Sequence, residues 1–240
     1  MNQTTTDTYA ERLAGTLPLV RERIRRAEDA SGRPAGSVRL VAVTKSHPFE
    51  AVEAALAAGL TDLGENRVEE LEQKVRAFGA DAATWHMIGH LQSRKAPRAA
   101  AVSDVIHSVD SLRLAEKLSR AATEEGRVLR VLAQVNTSGE DSKSGFTADA
   151  GGDEIMRMAE LPGLIVDGLM TMAPFVDDEV VLGAAFAGLR TLAEGLRATT
   201  DRIGPELSMG MTNDLEIAIR EGSTMVRIGT ALFGERGSAT

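Results

Sequence analysis

The chain has 240 residues, 43% of them apolar and 26% charged, with a net charge of −8 and a pI near 5.2. That is the composition of an ordinary soluble globular protein; it lacks the basic face of a general nucleic-acid binder and any run near the ~18 apolar residues of a membrane span. The absence of cysteine excludes disulfides, thiolate catalysis and cysteine-based metal sites, and the N-terminal stretch MNQTTTDTYAERLAG has neither the basic nor the apolar region of a secretion signal, so a cytoplasmic location is expected.

Residues 1–6 read as a flexible tail, followed by a helix over about 8–30 in which Pro18 is a candidate kink. The first strand is expected at 38–44 (VRLVAVT), followed by helical spacing in 48–58, where Val52, Ala55 and Leu56 recur at i, i+3 and i+4 and Gly59 is a stop. Further strands are expected at 61–64, 84–89, 104–109, 128–136, 164–171, 206–209 and 224–228, with helical patterns between them. Strands alternating with helices imply parallel βαβ units. Eight of them in a chain near the ~250 residues typical of the fold predict an α/β protein, a single-domain (β/α)8 TIM barrel over 1–240 with an extra N-terminal helix. A doubly wound open sheet is the alternative. No repeat, low-complexity tract or linker divides the chain.

A barrel places its active site at the C-terminal ends of the strands and often a phosphate in the loops after strands seven and eight. Lys45 ends the first strand, the neighbour of the eighth in a closed barrel. After the seventh comes SMGMTND (Ser208 to Asp214), and the eighth ends in RIGTALFG (Arg227 to Gly234). Each supplies a glycine for close approach, a hydroxyl residue and a helix start, with Thr212 or Asn213 the expected cap of a helix carrying Leu215, Ala218 and Ile219. Plain capping explains either motif alone. Val226 and Ile228 are β-branched and should face the helices, so Arg227 points into the barrel by alternation. A charge there is either paired with a carboxylate from another strand or used on a ligand. An amine, a phosphate cup and an inward arginine together describe a pyridoxal phosphate site.

The segments VAVTKSHP, GENRVEE, WHMIGHLQSRK, VNTSGEDSKSGF, GLMTMAP and LSMGMTNDLEIAIREGSTMVRIGTALFG, spanning about 38–234, resemble the pyridoxal phosphate homeostasis protein family. The resemblance implies a barrel like the N-terminal domain of alanine racemase, a bound pyridoxal 5′-phosphate, and no established catalytic activity. It puts the Schiff-base lysine at Lys45, phosphate contacts at Ser208, Gly210, Thr212, Gly229 and Thr230 with Met211 among the cofactor-binding residues, and the pyridine-facing arginine at Arg227. Thr212 stands where many members have Ser and Arg67 where many have Tyr.

Asn66 either contacts the cofactor or caps the helix starting near Val68. Lys143 is either a solvated loop residue or electrostatic help for an anion. His86 and His90 straddle a strand end, and with only His47 and His107 besides them no metal site is expected. Met170 and Met172 read as barrel packing and Glu216 as a helix-capping acid. Two functions of different class compete. One is a monomeric carrier that buffers pyridoxal phosphate or delivers it to apo-enzymes, affecting amino-acid and keto-acid metabolism. The other is a racemase-like enzyme. Racemisation needs a second acid/base across the cofactor, which alanine racemase takes as a tyrosine from a further domain; here the one tyrosine is Tyr9, upstream of the barrel, which leaves a histidine as the alternative second base and reduces the enzyme reading without closing it. The carrier is the expected function.

Overall fold

Each expected strand forms in the computed structural model, which describes residues 8–138, 144–147 and 151–235. The tail at 1–6 and Lys143 lie outside the described residues. In chain order the strands are Arg39–Val43 (β1), Asp62–Glu65 (β2), Thr84–Met87 (β3), Val105–Val109 (β4), Leu129–Asn136 (β5), Phe146–Thr147 (β6), Leu164–Met170 (β7), Ile203–Ser208 (β8) and Met225–Ile228 (β9). The two-residue β6 is additional to the expected set and pairs with the end of β5. The other eight close into a parallel ring in which β4 pairs with β5 and β9 returns to β1, so the open-sheet alternative is excluded.

Helices connect the strands on the outside: Phe49–Ala57 (α2), Val68–Phe78 (α3), Ala96–Val102 (α4), Leu112–Glu124 (α5), Gly152–Ala159 (α6), Glu179–Thr199 (α7), Leu215–Arg220 (α8) and Thr230–Phe233 (α9). Ahead of them runs Tyr9–Ala30 (α1), continuous through Pro18. Its start is a capping box, with the Glu11 amide donating to Thr8 Oγ1 at 3.3 Å and the Thr8 amide to Glu11 Oε2 at 2.8 Å. Its buried stripe of Leu13, Leu17, Val20 and Ile24 packs over α8 and α9. From that stripe's edges Arg12 Nη1 donates to the Phe233 carbonyl (2.7 Å), Thr16 Oγ1 to that of Leu232 (2.8 Å) and Arg23 Nη2 to that of Thr212 (2.9 Å). The extra helix thus fastens the chain beyond β8 and β9 from behind.

Register decides which side chains enter the barrel, because directly paired residues project to the same side. Ala42, paired with Leu63 and Ile228, and Ile106, paired with Met87, join the apolar layer between barrel and helices. Val41 pairs with Arg227, and His86 with Gly64 and Val105, on the inner side. The interior is therefore more polar than the Val, Ile and Leu layers usual in this fold.

At the β7–β8 seam the register slips between Val166 and Gly168. A Cβ on Gly168 would overlap the Glu206 carbonyl, and one on Gly204 the carbonyl of Asp167. Both clashes are with backbone, which cannot swing aside. Gly168→Ala should therefore cost about 3 kcal/mol, the upper end for overpacking, read as a lower urea midpoint at unchanged m-value.

Candidate functional site

Lys45 follows the buried Val43 and Thr44 at the end of β1, at the rim of a cavity of about 730 Å³. The turn that carries it is clamped by α3, whose Glu70 and Lys74 stand four apart on one face. Ser46 has φ 59°, the one positive φ outside glycine among the described residues, and its amide donates to Glu70 Oε2 at 2.9 Å. The buried Lys74 Nζ donates to the Thr44 carbonyl (2.8 Å) and to Glu65 Oε1 (2.6 Å), and Thr44 Oγ1 donates to the same carboxylate oxygen (2.5 Å). Burial raises the Glu65 carboxyl above its ordinary value, and the Lys74 charge opposes that shift. A left-handed serine held by an acid, next to a carbonyl held by a buried ammonium, fixes where Lys45 leaves the strand.

β9 pairs with β1 through Val41–Arg227 and Ala42–Ile228, which brings the end of β9 beside Lys45. Arg227 is buried, as alternation requires, with Val226 and Ile228 in the outer apolar layer. Its partners are backbone and hydroxyl rather than a carboxylate: Nη1 donates to Ser208 O (2.8 Å) and Oγ (2.6 Å), and Nη2 to Thr171 O (3.0 Å). Burial lowers its pKa to about 10 against the favourable charge of Asp214, so it stays cationic at neutral pH. Gly229 follows; a Cβ there would lie 3.2 Å from the Val43 carbonyl oxygen. Among the described residues nothing accepts from the amides of Thr212, Asn213, Thr230 and Ala231. Donors left open at helix starts are what an anion requires.

Of the sequence-selected residues, Lys45, Asn66, Met211, Thr212, Arg227, Gly229 and Thr230 line the cavity together. Ser208 and Gly210 do not. Ser208 is fully buried beneath Arg227. Gly210 makes the turn after β8 at φ 95°, where a Cβ would meet that of Ala218 at 2.6 Å, and its carbonyl accepts from the Arg227 amide at 3.0 Å. Both act through Arg227 and the loop rather than from the wall.

Several side chains differ from expectation. The cap position of α3 is Arg67, not Asn66, and makes no side-chain cap bond; Arg67 instead pairs with Glu70 at 3.4 Å on the surface. α8 is preceded by Asp214 rather than capped by Thr212 or Asn213, and the Asp214 carboxylate turns back to accept from the Met211 amide. Glu216 stands in the first turn of α8, as expected, and also pairs with Arg23 of α1 at 2.7 Å. Met170 is buried as expected, but Met172 is 42% exposed and lines the cavity. His90 pairs with Asp110 at 3.2 Å, and among the described residues no group of His, Asp or Glu could hold a metal ion. Tyr9 reaches the rim from α1, its hydroxyl 3.0 Å from His47 Nδ1.

Sequence reasoning missed what lies beneath Arg227. His107 Nδ1 is 2.9 Å from Ser208 Oγ, His107 Nε2 is 2.8 Å from His86 Nδ1, and His86 Nε2 is 3.1 Å from Asp62 Oδ1. Burial holds His107 well below its ordinary value, with the positive charges of Arg227 and Arg39 adding to the effect. The alternation that turned Arg227 inward also turns His86 inward between Trp85 and Met87.

The family described as "Alanine racemase, N-terminal domain" matches residues 17–237. A "Pyridoxal phosphate homeostasis protein" of Vibrio alginolyticus is 42% identical over 225 residues, 90% of this chain and 94% of that one. The structure of PipY of Synechococcus elongatus with PLP bound superposes at a TM-score of 0.78 with 38% identity, covering 90% of this chain and all of that one. Alanine racemase of Clostridium difficile shares the fold at a TM-score of 0.76 and 16% identity, over 93% of this chain and 58% of that one.

Two tests follow from this geometry. Lys74→Met strands the Glu65 charge in the interior and should destabilise the protein by about 3–5 kcal/mol. Adding Glu65→Leu should recover part of that loss, measured by urea unfolding. The neutral buried His107 should make stability fall with acidification: below its ordinary value of 6.5 the unfolded chain takes up a proton that the native state does not. The slope from this group grows as pH falls through 6.5 and approaches about 1.4 kcal/mol per pH unit about one unit below it, and stability should depend less steeply on pH over that range in His107→Asn.

Proposed function

The chain belongs to the family of pyridoxal phosphate homeostasis proteins, built on the alanine racemase N-terminal domain, and on that premise we propose that it binds pyridoxal 5′-phosphate at the barrel mouth as a cytoplasmic, monomeric carrier without amino-acid turnover of its own. The observation that supports this reading best is the meeting of Lys45, Arg227 and the Gly229–Thr230 turn on one cavity wall. Nothing in that set requires a metal. When bound, pyridoxal phosphate supplies an aldehyde that condenses with an amine to an imine. Lys45 supplies that amine, at a position set by the Ser46 turn and its α3 clamp. The open amides of Thr212, Asn213, Thr230 and Ala231 hold the phosphate, and Gly229 lets the chain approach it beside Val43. Asn66 and Met211 also line the cavity.

Arg227 decides between carrier and enzyme. Were the ring nitrogen set against it, as the family resemblance implies, this cation would disfavour protonation of that nitrogen and leave the ring a weaker electron sink than a carboxylate partner would. A racemase also needs a second acid/base across the ring from Lys45, a contribution of about 10²–10⁴-fold in rate. Tyr9 is not on the cavity wall, and its hydroxyl bonds His47, two residues from Lys45. The recipients of the cofactor would be apo-enzymes that use it.

Lys45→Ala should abolish the visible absorption band of the loaded protein while the far-ultraviolet circular dichroism stays unchanged. Gly229→Val should weaken pyridoxal phosphate retention by about tenfold or more, and Thr230→Ser hardly at all; equal retention in the two would count against the phosphate cradle. Loaded protein incubated with a single-enantiomer amino acid in deuterated water should show no α-deuteration beyond that given by free pyridoxal phosphate, and should pass its cofactor to an added apo-enzyme. Rapid deuteration with inversion, lost in Lys45→Ala, would make it an enzyme instead.

A further inference from the structure

The inner face of the barrel holds an unbroken series of side-chain hydrogen bonds from the mouth to the floor. It begins at Arg227 on β9, passes through Ser208 on β8, His107 on β4 and His86 on β3, and ends at Asp62, the first residue of β2. Ser208, His107 and His86 are fully buried, and Asp62 is not on the cavity wall.

The two ends fix the direction of every link. A guanidinium only donates, so Ser208 Oγ accepts from Arg227 Nη1 at 2.6 Å. The serine hydrogen is then free to donate to His107 Nδ1 at 2.9 Å. That imidazole carries its hydrogen on Nε2 and donates to His86 Nδ1 at 2.8 Å. His86 in turn carries its hydrogen on Nε2 and donates to the Asp62 carboxylate, which only accepts, at 3.1 Å. The reverse order would put a cation on His86, move the His107 hydrogen to Nδ1, and leave the Ser208 hydroxyl hydrogen without an acceptor among the described residues. Arg39, the other cation at this depth, lies 3.9 Å from Asp62 and is engaged more closely by Glu206 at 3.2 Å.

We propose that Asp62, His86, His107 and Ser208 form a one-directional positioning chain through which the carboxylate at the barrel floor sets the orientation of Arg227 at the mouth. Ser208 keeps both oxygens turned to Arg227 only while its own hydrogen is taken by His107, and His107 takes it only in the tautomer that Asp62 imposes through His86. Asp62 is thus a remote determinant of how Arg227 meets its ligand. That last step rests on pyridoxal phosphate being the ligand; the tautomer pattern does not.

The test reads the chain with and without cofactor. In cofactor-free wild-type protein, nitrogen-15 NMR of the histidine rings should show both His86 and His107 as the Nε2–H tautomer. Asp62→Ala should shift both towards Nδ1–H or a mixture, and Asp62→Asn, whose amide oxygen still accepts, should largely keep the wild-type pattern. In the loaded protein Asp62→Ala should raise the pyridoxal phosphate dissociation constant between about threefold and tenfold, the worth of a net hydrogen bond, and move the visible band, with Asp62→Asn restoring both. An Nδ1–H tautomer of either histidine in the wild type would overturn the chain, and that reading stands even if Asp62→Ala does not fold. A folded Asp62→Ala with altered tautomers but unchanged affinity and spectrum would overturn its positioning role. Failure of the wild type to bind pyridoxal phosphate would sink the ligand assignment, while the tautomers would still decide the chain.

Discussion

A guanidinium sealed inside a barrel is the constraint on which the rest of this structure depends. Removing a cation from water costs several kcal/mol even after relaxation, and among the described residues no carboxylate is in direct contact with Arg227. It is held by the Ser208 and Thr171 carbonyls and the Ser208 hydroxyl, all at the ends of β8 and β7. Dipoles lower the cost without cancelling the charge, so a positive group remains at the cavity wall. The seam between β9 and β1 then places the Lys45 turn beside it, and the polar interior below continues the chain of acceptors that Ser208 requires.

Rigidity at the mouth comes from two helices working from outside. α3 reaches in with Glu70 and Lys74 to hold the backbone on both sides of Lys45, at the cost of a buried ion pair with Glu65. α1 reaches over with Arg12, Thr16 and Arg23 to hold carbonyls at the ends of the other two loops. Among the described residues these loops leave amides open, and it is their carbonyls that are tied down. The clamp holds the turn after β1, and the strap holds the chain after β8 and β9.

The strands and the cavity rim were legible in the sequence because apolar runs and Gly-Thr turns are local signals. Boundaries failed where tertiary contacts override them. β8 starts at Ile203, three residues before the expected 206, because Gly204 and Pro205 look like breakers but lie on a seam where Gly204 must pass against the Asp167 backbone. Cap assignments failed for a similar reason: whether Asn66, Thr212 or Asp214 caps a helix depends on the direction of the preceding turn, which the sequence does not state. The buried chain was invisible because its five members lie on five different strands, with 19 to 101 positions between bonded partners. Strand alternation flags His86 and His107 as inward once Arg227 is so read, but only the register brings them into line.

Lys45 is the amine proposed to hold the cofactor, and the lysine that condenses can be identified directly. Borohydride reduction of the pyridoxal phosphate-loaded protein, followed by proteolysis and mass spectrometry, would leave a stable pyridoxyl group on whichever lysine had condensed. One pyridoxyl group per chain, on the peptide containing Lys45, is the predicted result. A label on Lys74 or Lys143 in its place, or none under conditions where the cofactor is bound, would contradict it.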